Sequence, residues 1–128
     1  MRNFLDRYSE AIYALLRVVA GLLFACHGWQ KLFGGFGRGP MTDKPLFLIA
    51  GVIELLGGFL IASGVFARTA AFLASGEMAV GYFLFHFPAG FWPIANHGEV
   101  VVLYCFLFLF VASRGAGRFS LTGRRSAP

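Results

Sequence analysis

Residues 15–36 read LLRVVAGLLFACHGWQKLFGGF, an apolar run long enough to cross a bilayer that nevertheless carries Arg17, His27, Gln30 and Lys31. A helix rises about 1.5 Å per residue, so roughly 20 apolar residues span the hydrocarbon core. Polar and ionisable side chains at that depth are costly, so they turn toward protein or water and are functional candidates. The composition around them agrees with a membrane setting: of 128 residues 58% are hydrophobic, only 13% are charged and 16 are Phe, and the mean hydropathy is +0.71. These values lie outside the range of soluble globular domains. A chain of this size has room for about four spans with short loops and for no separate soluble domain.

Outward from this run, the organisation follows from punctuation. Phe4, Leu5, Tyr8 and Ile12 recur near helical spacing in a polar lead, which predicts an interfacial turn feeding a first span over 13–33. Trp29 marks its exit, and Gly34, Gly35, Gly37 and Gly39 ahead of Pro40 end it in a loop. Pro45 opens a second span over 46–66, and a tight turn leads to a third over 69–87, ended by Pro88. An aromatic and proline-rich connection, PAGFWPIANHG at 88–98, precedes a short fourth span over 97–113 and a basic tail over 114–128. The expected fold is an all-α integral membrane protein, a four-transmembrane-helix bundle forming one membrane domain over 1–128. Gly21, Gly28, Gly51, Gly57, Gly58, Ala74 and Gly81 are the small residues that allow its helices to approach.

The net charge of +5 does not point to nucleic acid, because the basic residues sit at segment ends rather than on one face. Arg2, Arg7, Arg68, Arg114, Arg118, Arg124 and Arg125 fall at one side of the predicted spans, and only Arg38 and Lys44 in the loops of the other. The positive-inside bias therefore places both termini in the cytoplasm. The LFAC sequence at 23–26 resembles a lipoprotein cleavage box, but Arg17 interrupts the stretch and Asp6 and Glu10 precede it, so the segment is expected to remain as a helix.

On a 3.6-residue helix Arg17, Gly21, Phe24, Gly28 and Lys31 share a face, with His27 displaced by roughly 80°. Glu54 lies with Gly51 and Gly58, and Glu77 with Ala70, Ala74 and Gly81, so both acids are expected to point inward. Compatible depth pairs Glu54 with His27 or Lys31, and Glu77 with Arg17 or Lys31, in a buried polar network. Such a network also serves simply to fix helix register, and Lys31 has the simpler alternative of snorkelling to the outer surface. His86, His97 and Glu99, with Asn96, fall near the outer rim and are expected to line a polar mouth. They lack a close ligand spacing such as HxxxH, so no metal site is assigned. Cys26 and Cys105 fall at similar depth, which allows a thiol pair between spans one and four, although a free cysteine also packs well as a small apolar residue.

The segment HGWQKLFGGFG at 27–37 is very similar to the signature of the DoxX family. GVIELLGGFLIASGVFAR at 51–68, SGEMAVGYFLFHFP at 75–88 and NHGEVVVLYCFLFLF at 96–110 agree in order and spacing, and the resemblance covers about residues 10–121. It implies a small four-span protein of the bacterial cytoplasmic membrane. Related members are linked to thiosulfate oxidation with quinone as acceptor, or to membrane-associated redox and thiol stress responses. The sequence has no CxxC pair, so a specific sulfur chemistry is not carried over.

With the resemblance in hand, the leading expectation is a redox-associated membrane subunit that binds quinone or a similar small apolar carrier. His27 and Glu54 would handle protons, because an imidazole beside a carboxylate titrates near neutrality, and Arg17, Lys31 and Glu77 would hold the network. No haem, flavin or nucleotide motif is visible, so an oxidoreductase role would be that of a subunit without an electron store of its own. The competing expectations are a small-solute or proton pathway using the same charges, and a non-enzymatic scaffold for a soluble or membrane redox partner.

Overall fold

The computed structural model describes residues 3–123 and is all-helical over them apart from loops and a single isolated bridge between Gly35 and Arg38. Arg2, Arg124 and Arg125, used above for orientation, lie outside the described residues. A 3-10 turn at Phe4–Tyr8 leads into α1, Ser9–Phe33, and α2 follows at Pro45–Ser63. α3, Ala67–Gly81, continues through a π-helical turn at Tyr82–His86 and a 3-10 turn at Phe87–Ala89. A single turn, α4 at Pro93–Asn96, precedes α5 at Glu99–Arg114.

Three stretches, Phe4–Phe33, Pro45–Ser63 and Ala67–Ala89, are long and apolar enough to cross a membrane. α5 is shorter, at 16 residues. The second span ends at Ser63 rather than at residue 66, because Gly64 caps α2 in the left-handed region and Phe66 adopts φ 49° before α3 begins. His97 likewise takes φ 63°, which separates α4 from α5, so the fourth helix begins at Glu99 rather than at residue 97.

α1 and α2 meet backbone to backbone. A Cβ on Gly21 would lie 2.6 Å from Gly58 O, and one on Gly28 would lie 2.7 Å from Gly51 O. The expected small-residue seam is therefore carried by Gly21, Gly28, Gly51 and Gly58, whereas Gly57 and Gly81 face open space. α3 packs against α5, and α2 joins the two pairs by contacting α3. α1 and α5 stand further apart and are bridged by rings, with Phe24 against Phe108 at 4.8 Å and Tyr13 against Phe110 at 5.8 Å between centroids. Phe24, Ile61, Ala71, Ala74, Phe108 and Val111 form a fully packed layer. Most remaining large apolar side chains point outward, as a lipid-facing surface requires.

Two arginines finish helix ends. Arg17, buried to 1% exposure, donates to Ile61 O at 3.0 Å, Ala62 O at 3.3 Å, Phe119 O at 3.1 Å and also to Ala116 O. The first two are C-terminal carbonyls of α2, where intrahelical donors run out, although Ile61 O also accepts from the cap amide of Gly64 at 3.2 Å. Arg68 does the same for α5, donating to Ala112 O, Ser113 O and Arg114 O at 3.0, 2.7 and 3.2 Å. The expected pairing of Arg17 with Glu77 is thus corrected. Arg17 lies about 21 Å along α1 from Lys31, at the level of α2's free carbonyls, and a guanidinium fork can satisfy several of those at once. The start of the tail docks on this end: Leu121 N donates to Ser63 O, Thr122 Oγ1 to Gly64 O and Tyr13 Oη to Gly115 O.

The opposite end is tied by Asn96, buried to 4% exposure. Its Nδ2 donates to Tyr82 Oη and Gly90 O at 3.0 and 2.7 Å, its Oδ1 accepts from Gly98 N at 2.9 Å, and Tyr82 Oη donates to Phe91 O. Asn96→Ala removes all three bonds of its side chain. It is expected to cost about 2 kcal/mol and to raise amide hydrogen exchange selectively over residues 88–98.

Candidate functional site

Between α1, α2 and the C-terminal half of α3 lies a cavity of about 270 Å³. The sequence places its polar groups there for simple reasons. His27 and Lys31 are one helical turn apart on α1, Glu54 follows Gly51 on the close-packed face of α2, and Glu77 leads into the turn of α3 that opens as a π-helix. Gln30 of α1, with Arg38 and Met41 of the α1–α2 loop, closes the cavity, and His86 lines it from the π turn. Its other walls are apolar: Leu46 and Phe47 of α2, Met78 and Val80 of α3, Leu84 and Phe85 of the π turn, and Val101 of α5. Phe47 and Phe85 stack across the α2–α3 gap with centroids 5.2 Å apart. A smaller space of about 90 Å³ shares His27, Lys31, Glu54, Met78 and Val101 and reaches Phe24 and Tyr104.

The central contact is an ion pair. Lys31 Nζ lies 2.6 Å from Glu54 Oε2 and 2.8 Å from Oε1, with the two side chains 20% and 3% exposed. Of the alternatives left open by depth, Glu54 therefore takes Lys31, and Lys31 turns inward instead of snorkelling. A nearly dry carboxylate needs a cation at contact distance, and the close approach of α1 to α2 at Gly28 supplies one. His27 lines the same cavity with its ring edge-on to Tyr104 at 6.2 Å. Glu77 forms an ion pair with neither Arg17 nor Lys31, and its Oε2 is buried without a hydrogen-bond partner.

The expected outer mouth is only partly assembled. His86 lines the cavity, with Nδ1 3.1 Å from Asn96 O. His97 and Glu99 are exposed and do not line it. The left-handed backbone at His97 turns it away, and Glu99 sits in the exposed first turn of α5, where the helix dipole favours a carboxylate. Among the described residues no three His, Cys, Asp or Glu side chains gather as a metal cage. The thiol pair is not formed either: Cys26 is free and exposed, and free Cys105 sits behind Ser75, whose Oγ donates to Cys105 O at 2.7 Å.

Sequence reasoning named Gln30 without giving it a role, and missed Arg38 and the π turn. Arg38 reaches the cavity from a glycine-rich loop whose shape depends on Gly34, Gly35 and Gly37 at positive φ, and such a loop has no periodicity to read. Gln30 fixes that loop, its Nε2 donating to Gly35 O and Phe36 O at 3.2 and 3.3 Å. Its position inside the apolar run was the available signal. The π turn at Tyr82–His86 has no simple residue signature, though such turns often mark functional sites.

Known proteins give a consistent assignment. The sequence profile of the DoxX family matches residues 12–87, which hold the cavity's groups from α1, α2 and α3. A Haemophilus influenzae protein described as an uncharacterized protein is 41% identical over 131 residues, covering 95% of this chain and 96% of its own length. No solved structure matches the chain. On the profile match and the full-length likeness together, the chain belongs to the DoxX family of membrane proteins.

Proposed function

We propose that the cavity binds the ring of a quinone or similar small apolar electron carrier, and that the chain is a redox-associated subunit of the bacterial cytoplasmic membrane. The observation that carries this reading is the cavity's mixed lining. It combines the polar groups of His27, the Lys31–Glu54 pair and Glu77 with the apolar side chains of Phe47, Met78, Val80, Leu84 and Phe85. Ligand cavities begin at roughly 300 Å³, so this volume suits a single substituted ring. In the bilayer, outward-facing Leu46, Val80 and Leu84 would give an apolar tail its way to lipid. His27 and Glu54 are the proton-handling groups, within one cavity and at the surface a ring oxygen would meet.

Packing favours a binding site over a through-path. Inward of the cavity the interior closes on Phe24, Ile61, Ala71, Ala74 and Phe108, and beyond them each guanidinium nitrogen of Arg17 donates to a backbone carbonyl. The transmembrane arrangement belongs to the same proposal. α5 serves as a short fourth span, with Leu103, Phe106, Leu109 and Phe110 toward lipid, and both termini lie on the cytoplasmic side with Arg7, Arg68, Arg114 and Arg118. The whole chain is then one membrane domain.

The test is equilibrium binding of a short-chain ubiquinone to the purified protein in nanodiscs. Saturable binding is expected in the wild type, weakened at least tenfold in His27→Ala and in Glu54→Gln at matched folding, because each removes a polar group that the bound ring would need. A folded wild type that binds no quinone overturns the proposal.

A further inference from the structure

At the end of the bundle where the tail docks, Arg68 is exposed on α3 and yet fixed in place. Its Nη1 donates to Ala112 O and Ser113 O, and its Nη2 to Arg114 O. The guanidinium also lies close against Gly115, where a Cβ would come within 2.9 Å of Nε and 3.0 Å of Cζ and Nη2. Holding so long a side chain still costs rotamer entropy, and the acceptors it meets carry no charge. Among the described residues Arg68 makes no ion pair: Glu10 is taken by Arg114 and Arg118 N, and Asp6 by Asn3 N. The carbonyls leave Nε–H and one Nη2–H, neighbouring donors on the guanidinium fork.

Arg68 lines a cavity of about 660 Å³ together with Arg114, the hydroxyl residues Thr69 and Thr122, and Phe66, which is 75% exposed. We propose that this cavity binds the phosphate group of an anionic phospholipid, with the free donors of Arg68 reaching two phosphate oxygens and Arg114 supplying a second positive charge. A phosphate matches the spacing of the fork and brings the charge that the carbonyls lack. Basic pockets at the ends of membrane spans suit anionic headgroups, and the outward ring of Phe66 gives the acyl chains an apolar neighbour. Free phosphate shares the head chemistry but not the chains. The proposal is independent of the carrier cavity at the other end of the bundle.

Native mass spectrometry of the detergent-purified protein, offered equal amounts of phosphatidylglycerol and phosphatidylcholine, reads the preference. Choline neutralises the second lipid, so the wild type is expected to retain phosphatidylglycerol by about tenfold over it, as charge-assisted hydrogen bonds give. Arg68→Gln removes the preference but also the cap on α5, so Thr69→Glu is the decisive variant. It keeps the carbonyl bonds of Arg68, sets a carboxylate in the cavity where the start of α3 favours one, and abolishes the preference in a folded protein. Arg118→Gln lowers the net charge equally at the same end but outside the cavity, and keeps the preference. Thermal unfolding with added inorganic phosphate separates the two sources. Equal retention of both lipids, with a saturable phosphate stabilisation that Thr69→Glu removes, would give the site to free phosphate and overturn the lipid assignment. Equal retention without that stabilisation, or a preference that survives Thr69→Glu or is lost in Arg118→Gln, overturns the site itself.

Discussion

Gly28→Ala is expected to force α1 and α2 apart and to cost about 3 kcal/mol, the upper end of what overpacking by one methyl group usually costs. The new carbon would lie 2.7 Å from Gly51 O and 2.8 Å from Leu55 Cα. Those atoms are backbone, which cannot change rotamer to make room. Separation would also carry Lys31, one turn further along α1, away from Glu54 on α2. Gly57→Ala is the internal control: it is also buried in α2, but a Cβ there meets nothing within 4 Å. Helix propensity alone then favours alanine by up to about 1 kcal/mol. Thermal unfolding in detergent should therefore move in opposite directions for two chemically identical substitutions. Equal effects would mean that the seam is not closely packed.

Arg17→Met is expected to destabilise the protein by more than about 3 kcal/mol, because it strands several backbone carbonyls away from water and each orphaned group costs about 1–3 kcal/mol. The loss is local to one end. The carbonyls released are those of Ile61, Ala62, Ala116 and Phe119, so the tail segment that docks beneath α2 is held by this one side chain together with Leu121 and Thr122. Trypsin should accordingly cut faster at Arg118, while quinone binding per folded molecule is unchanged because Arg17 does not line the cavity. Arg17→Lys keeps the charge but not the planar fork and is expected to recover only part of the loss. A variant that cleaves at the wild-type rate would show that the tail docks without it.

These two residues also show what the sequence could and could not reveal. Gly28 and Arg17 share a helix face with Phe24 and Lys31, and spacing alone predicted that this face is buried. The inward placement of Glu54 beside Gly51 and Gly58 followed in the same way, and depth narrowed its partner to His27 or Lys31. Arg17's partners were illegible because they are backbone carbonyls, which every residue carries and no residue type announces. Glu77 was expected to find a cation, but its Oε2 is buried without a partner, and a carboxyl left unpaired has no signature in a reading that looks for opposite charges. His97 and Glu99 looked like neighbours of His86 in a polar rim, but the left-handed turn after Asn96 redirects them. Arg38 joined the cavity through a loop whose path depends on glycine conformations.

The most direct measurement is photolabelling with an azido-quinone in nanodiscs, followed by peptide mapping. If the cavity between α1, α2 and α3 is the ring site, the label falls on Phe47 and on residues 80–86, and excess unlabelled quinol removes it. Label confined to the apolar groove of about 450 Å³ between α3 and α5, around Phe91, Trp92 and Phe106, or label spread evenly over lipid-facing positions, would contradict the assignment of the cavity as the carrier site.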